Sequence, residues 1–175
     1  MRNYFCERKG KGKYFILNVS FRLSKQPELK LDYGTIRAEL QTMNRLNPTI
    51  SDVREAVCRI REKKLPDPVQ MSNAGSFFKN PVISKQQFIN LKERFPGVVA
   101  YPQEDGYKIA AAWMIEQCGW KGKRFGDAGV HENQPLVLVN YGSASGEEIL
   151  SLSNRIIESV EEKFGIHLEP EVNIY

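Results

Sequence analysis

Between Tyr14 and Leu23 apolar and polar positions partly alternate, with Phe15, Leu17, Val19, Phe21 and Leu23 on one side. A period of two in a run rich in aromatic and β-branched residues predicts a strand. Thr35 to Leu40 reads as a short helical turn, broken by "NRLNPT". From Ser51 to Lys64 the period lengthens, and Val53, Ala56, Val57 and Ile60 form one helical face. The prolines of "KLPDP" stop that helix by removing donors and restricting their neighbours. Ser84 with Gln87 three residues on predicts a capping box, and Ile83 is spaced to pack on Phe88 as a hydrophobic staple. Leu91 and Phe95 extend that face to Pro96-Gly97. "VVAY" predicts a short buried strand and "QEDG" a turn. Lys108 to Cys118 predicts a third helix, which Gly119 ends. "PLVLVN" predicts a further strand. Ser145 and Glu148 form a second capping box, starting a helix lined by Ile149, Leu152, Ile156 and Val160. Gly165 closes it, and "IHLEPEVNIY" is a final extended segment. Strands and helices mix irregularly, so the expected fold is α+β, with a mixed or antiparallel sheet flanked by helices.

Composition narrows the class. The 175 residues, 41% hydrophobic and 26% charged, are those of a soluble globular chain. No apolar run is long enough to span a membrane, and the N-terminus lacks a signal peptide's apolar block. Cys6, Cys58 and Cys118 are odd in number and far apart, which argues against a disulfide framework and for a reducing cytoplasm. The net charge of +4 permits an anionic ligand without demanding nucleic acid.

Chemistry is harder to place by residue type alone. There is no phosphate loop of the Walker kind and no G-x-G-x-x-G after a strand. "GKGKY" precedes a strand and reads as a solvated loop. His131 and His167 lack neighbouring cysteines, which disfavours a metal site. Ser76, His131 and Asp127 make a triad on paper, but the G-x-S-x-G elbow is absent. Four stretches have more content. In "NAGSFFKNP", Ser76, Lys79 and Asn80 put a hydroxyl, a cation and an amide within one short reach. Lys64 stands where a helix ends, a place where lysine ordinarily compensates the helix dipole. "GDAGVHENQP" is a long polar loop that could be a ligand wall. Glu169 and Glu171 flank Pro170, where surface exposure is the default.

Together, "LPDP…NAGSFFKNP", "KIAAAWMIEQCGWKG", "GVHENQPLVLVN" and "LEPEV", in this order and spacing, resemble the C-terminal part of the UDP-N-acetylenolpyruvoylglucosamine reductase (MurB) family of bacterial peptidoglycan synthesis. The resemblance runs from about Tyr14 to the last residue, and "LDYGTI" is similar to the branch whose substrate loop carries a tyrosine. It implies a reaction in which NADPH reduces bound FAD, and the flavin passes hydride to the double bond of UDP-GlcNAc-enolpyruvate. It implies that Ser76 is the general acid and that Glu171 polarises the substrate at its carboxylate end. It further implies that Tyr33, Lys64, Asn80 and Gln134 bind substrate, chiefly at the diphosphate and uridine.

The resemblance implies the substrate-binding domain of a multi-domain flavoenzyme, with most of the FAD-binding domain N-terminal to this region. Residues 1–48 are expected to be a remnant of that FAD-binding domain with the substrate loop. Residues 49–168 are expected to be the substrate-binding domain, and 169–175 a segment returning toward the flavin domain. Arg2 matches the family's "Y-R-x-S" arginine poorly. The chain alone is expected to lack reductase activity, and the strand at Tyr14 to expose apolar surface. Two other classes stand beside this one. One is a basic module binding RNA or single-stranded DNA through Lys9, Lys11 and Lys13. The other is a non-catalytic interaction domain.

Overall fold

A computed structural model describes residues 17–32 and 34–174. Its apolar side chains gather into two clusters. The smaller cluster lies between α1 (Ile36–Thr42) and α2 (Ile50–Lys64), which bury Ile36, Leu40 and Ala56 against Val53, Val57 and Ile60. α2 begins at Thr49: its hydroxyl accepts from the Asp52 N–H, and the Asp52 carboxylate accepts from the Thr49 N–H. This capping box satisfies two of the donors that every helix start leaves open. Lys63 reaches Glu39 at 2.8 Å and ties the two helices at their surface.

The larger cluster holds the rest. It comprises β1 (Ser72–Ser76), β2 (Val82–Ile83), α3 (Lys85–Arg94), β3 (Ala100–Gln103), β4 (Gly106–Ile109), α4 (Ala111–Gln117), β5 (Arg124–Phe125), β6 (Ala128–Val130), β7 (Val137–Asn140) and α5 (Gly146–Phe164). The strands form two antiparallel sheets, ordered β1-β7-β6-β5 and β2-β4-β3. α5 packs on β6 and β7, burying Leu152, Ile156, Val160 and Phe164 on one stripe. Each such side chain removed from water stabilises the fold by about 1.5–3 kcal/mol. The fold is therefore α+β, with antiparallel sheets and flanking helices, as the irregular order of elements implied.

Several elements follow their sequence signals closely. Ser84 and Gln87, and Ser145 and Glu148, form reciprocal capping boxes at α3 and α5. Gly119 and Gly165 adopt left-handed backbone angles just after α4 and α5, at φ 72° and 68°. Ile83 and Phe88 both join the main core.

Others differ, for physical reasons. Residues 17–23 form no strand, and Leu17 and Phe21 are 87% and 79% exposed. Alternation makes a segment able to pair, but a ladder needs a neighbour, and no described strand lies beside it. Tyr14 to Ile16, Arg2, Cys6, the lysines of "GKGKY" and Tyr33 lie outside the described residues. The strand expected at Val98–Tyr101 starts at Ala100, pairs with β4 across Glu104-Asp105, and leaves Tyr101 exposed. Lys108 and Ile109 belong to β4 rather than a helix. α4 starts at Ala111, whose N–H donates to Asn80 Oδ1 at 2.9 Å. Its start is set by a side chain distant in sequence, so no local signal marks it.

The "GDAGVHENQP" loop hides a strand. β6 is fully buried, and a Cβ at Gly129 would lie 2.7 Å from Tyr141 Cε2 and 2.9 Å from the Lys123 carbonyl oxygen. Small residues here allow close backbone approach and so look like a loop. Asp127 locks the hairpin end to the turn before α5, accepting from the Ser143 N–H at 2.9 Å, Arg124 at 2.8 Å and the Ser143 hydroxyl at 3.1 Å. The Ser143 N–H first, then Arg124 and the Ser143 hydroxyl, hold its carboxyl below the usual carboxylate range. A lowered folded pKa contributes stability above about pH 4, which is lost as pH falls through the folded value. Acid titration of the thermal midpoint should fall more steeply for the native chain than for Asp127→Asn. Parallel curves would mean that Asp127 adds no pH-linked stability.

Candidate functional site

Ser76 is the last residue of β1, exposed, on the strand at the end of the larger sheet. Ser72 opposes Asn140 and Asn73 opposes Val139 on β7, but Ser76 rather than Gly75 opposes Val137. One extra residue is thus accommodated between Asn73 and Ser76, a β-bulge. Beyond it, Phe77 and Phe78 turn into the core and anchor the segment.

Glu171 reaches the same place from the other end of the chain. The Glu171 N–H donates to the Phe77 carbonyl at 2.8 Å, and the Lys79 N–H donates to the Glu169 carbonyl at 2.9 Å. Phe78 and Pro170 form an antiparallel bridge between them. The segment carrying Glu171 therefore runs alongside the one carrying Ser76, and Glu171 is bonded to the residue next to Ser76. Both candidates are exposed at this edge.

Gln134 comes with the adjoining turn. Its carbonyl accepts from the Val137 N–H at 2.9 Å, and two residues on, the Leu136 carbonyl accepts from the Phe77 N–H at 2.7 Å. Asn80 lies four residues beyond Ser76, with Oδ1 committed to the start of α4 and the whole residue exposed. Lys79 pairs with Glu169 at 3.3 Å. Lys64, the last residue of α2, is exposed, and no side-chain bond among the described residues joins it to the other candidates. The fold thus gathers Ser76, Asn80, Gln134 and Glu171 around Phe77–Lys79, while Lys64 stands at the end of the helix pair.

The paper triad does not form. Asp127 is engaged with Arg124 and Ser143, and His131 Nδ1 accepts from the Asn133 N–H at 3.2 Å. No group of His, Cys, Asp and Glu that could hold a metal occurs among the described residues. Concavities of about 460, 440 and 160 Å³ lie on α3, between α4 and α5, and between α3 and the end of α5. None of these three contains Ser76, Asn80, Gln134 or Glu171; Ser76, Asn80 and Glu171 are exposed and Gln134 is half-buried. Asn73 to Gly75 read from sequence as an ordinary turn; Asn73 and the Leu136 carbonyl hold the edge in shape. The Asn-x-Gly spacing was the one available signal for Asn73.

The fold defines a class: an α+β domain with antiparallel sheets and flanking helices, whose candidate groups Ser76 and Glu171 stand exposed at one sheet edge. Residues 67–175 match the family described as UDP-N-acetylenolpyruvoylglucosamine reductase, C-terminal domain, and the chain belongs to that family. The reductases of Pseudomonas savastanoi and Pseudomonas syringae pv. syringae are each 53% identical over 164 residues, covering 93% of this chain and 48% of theirs. The Burkholderia multivorans reductase is 48% identical over 174 residues, covering 97% of this chain and 50% of its own. The chain spans about half the length of these curated relatives. A crystal structure of the reductase from Thermus caldophilus aligns with TM-score 0.45 and 27% identity over 72% of this chain and 34% of that one.

Proposed function

We propose that this chain is the substrate-binding part of a UDP-N-acetylmuramate-forming reductase of peptidoglycan synthesis, taking UDP-GlcNAc-enolpyruvate in the cytoplasm. The bond from Glu171 N–H to the Phe77 carbonyl carries this reading, because it lays the backbone of Glu171 alongside the residue next to Ser76, on an edge where both residues are exposed. Reducing the enolpyruvyl double bond requires a hydride at one carbon and a proton at the carbon bearing the carboxylate. This chain's part is the proton. Ser76 is a feeble acid in water, but the carbanion or enol left by hydride addition is a strong base, so a positioned weak acid suffices. Glu171 polarises the substrate at its carboxylate end.

Tyr33, Lys64, Asn80 and Gln134 hold the diphosphate and uridine. With Asn80 Oδ1 bonded to Ala111, its NH₂ group is the part left for a ligand. FAD, and NADPH to reduce it, supply the hydride chemistry. Ser76 and Glu171 stand exposed, outside the three concavities described above, and none of the described residues is assigned to the flavin. We assign the flavin to the half of the relatives that this chain does not match, and residues 1–48 and 169–175 to the boundary with it. No described helix is long and apolar enough to cross a membrane.

Calorimetric titration of the chain with UDP-GlcNAc-enolpyruvate tests the binding half of this proposal. Saturable binding is expected, weakened about 10- to 100-fold in Lys64→Ala, the range for one charge-assisted hydrogen bond. A chain that melts cooperatively yet binds nothing would contradict the claim that it reads the nucleotide sugar by itself. Equal affinity in Lys64→Ala would remove Lys64 from the site.

A further inference from the structure

We infer that Asn73 is a positioning residue for Ser76, an inference that rests on the proton-donor role proposed above. The Asn73 carboxamide spans the bulge: Nδ2 donates to the Met71 carbonyl at 2.8 Å, and Oδ1 accepts from the Gly75 N–H at 2.9 Å. Gly75 sits at φ 72°, in the left-handed region that glycine enters without the Cβ penalty. Between them, the side chain of Asn73 and the backbone freedom of Gly75 let Ala74 and Gly75 together oppose a single residue of β7. The register shift from Asn73↔Val139 to Ser76↔Val137 is the result.

That one residue matters because side chains alternate faces along a strand. Without the bulge, Gly75 would oppose Val137, and Ser76 and every residue after it would move one position and exchange faces. Ser76 would lose its exposed position, and the Phe77 bonds to Leu136 and Glu171 would have to reform in another register. Asn73 itself is half-buried and is not placed among the substrate-facing groups. It acts through the backbone, by deciding where the hydroxyl of Ser76 stands relative to Glu171.

The test uses the full chain and nuclear magnetic resonance. Asn73→Ala should abolish the left-handed shift signature of Gly75 and raise Gly75 amide exchange about tenfold, the effect of one lost hydrogen bond. The amide signals of Ser76 and Glu171 should move with it, while those of α5 stay in place. Asn73→Asp keeps the acceptor for Gly75 N–H but loses the donor to the Met71 carbonyl, and should restore the three signals in part. An Asn73→Ala chain that keeps the Gly75 signature and the Ser76 and Glu171 signals would overturn the inference. If that variant does not fold, exchange in the native chain decides: slowed Asn73 carboxamide and Gly75 amide protons support it, and free-peptide rates overturn it. Absence of nucleotide-sugar binding with an intact bulge would contradict the proposed function, while the placement of Ser76 by Asn73 would still hold.

Discussion

Ser76→Ala is expected to slow reduction of the enolpyruvyl substrate about 10²- to 10⁴-fold, the contribution of a positioned general acid. The side chain it removes is exposed at the end of β1 and packs against none of the core that holds the fold. Stability should therefore change little, and substrate affinity by less than about twofold, since only proton delivery is lost. The assay uses this chain fused to the half of the Pseudomonas syringae reductase that it does not match, a reductase 53% identical over 164 residues. A loss in kcat alone, with KM unchanged, is the expected pattern. A loss smaller than tenfold would take Ser76 out of the proton transfer while leaving the nucleotide-sugar assignment intact.

The largest stability effect should come from Phe78→Ala. Phe78 is 1% exposed, lies against Phe77 with ring centroids 5.1 Å apart, and bridges Pro170. Truncating a buried phenylalanine costs about 3–5 kcal/mol through lost transfer free energy and the cavity left behind. Domains are typically stable by only about 5–15 kcal/mol, so a large share of the total would go. The loss has a local consequence as well, since the Phe77 and Lys79 bonds to residues 169–171 flank this anchor. Urea unfolding should show a midpoint lowered accordingly, with Glu171 amide exchange accelerated even below the transition. A change under about 1 kcal/mol would mean that the aromatic pair does not hold the edge together.

The helices were the legible part of the fold, because their signals are local. Ser84/Gln87 and Ser145/Glu148 announce α3 and α5 within four residues, and the stripe from Leu152 to Val160 names the buried face. Strands made of small or polar residues were not legible. β1 is Ser-Asn-Ala-Gly-Ser, and β6 is Ala-Gly-Val. Their pairing is decided by β7 and by close packing of Tyr141, neither of which leaves a periodic mark in the strand itself. The converse failure is Leu17–Leu23, where a partly alternating pattern has no described partner.

The candidate site was legible only through the joint spacing of its motifs. Ser76 and Glu171 are separated in sequence by most elements of the larger cluster, and composition says nothing of their meeting. The meeting is made by Phe78, whose burial carries Pro170 and the flanking backbone bonds with it. Asn80 illustrates a further limit. Its residue type suggested a ligand donor, while its carbonyl oxygen proves to start α4.

One measurement addresses the central claim most directly: amide chemical-shift mapping of the full chain during titration with UDP-GlcNAc-enolpyruvate. Saturable shifts are expected to concentrate at Ser76–Asn80, Gln134–Leu136 and Glu169–Glu171, the residues that the backbone bonds draw to one edge. Saturable shifts confined instead to the concavity lined by Phe88 and Lys92 of α3 and Tyr107 of β4 would contradict this and place the nucleotide sugar elsewhere.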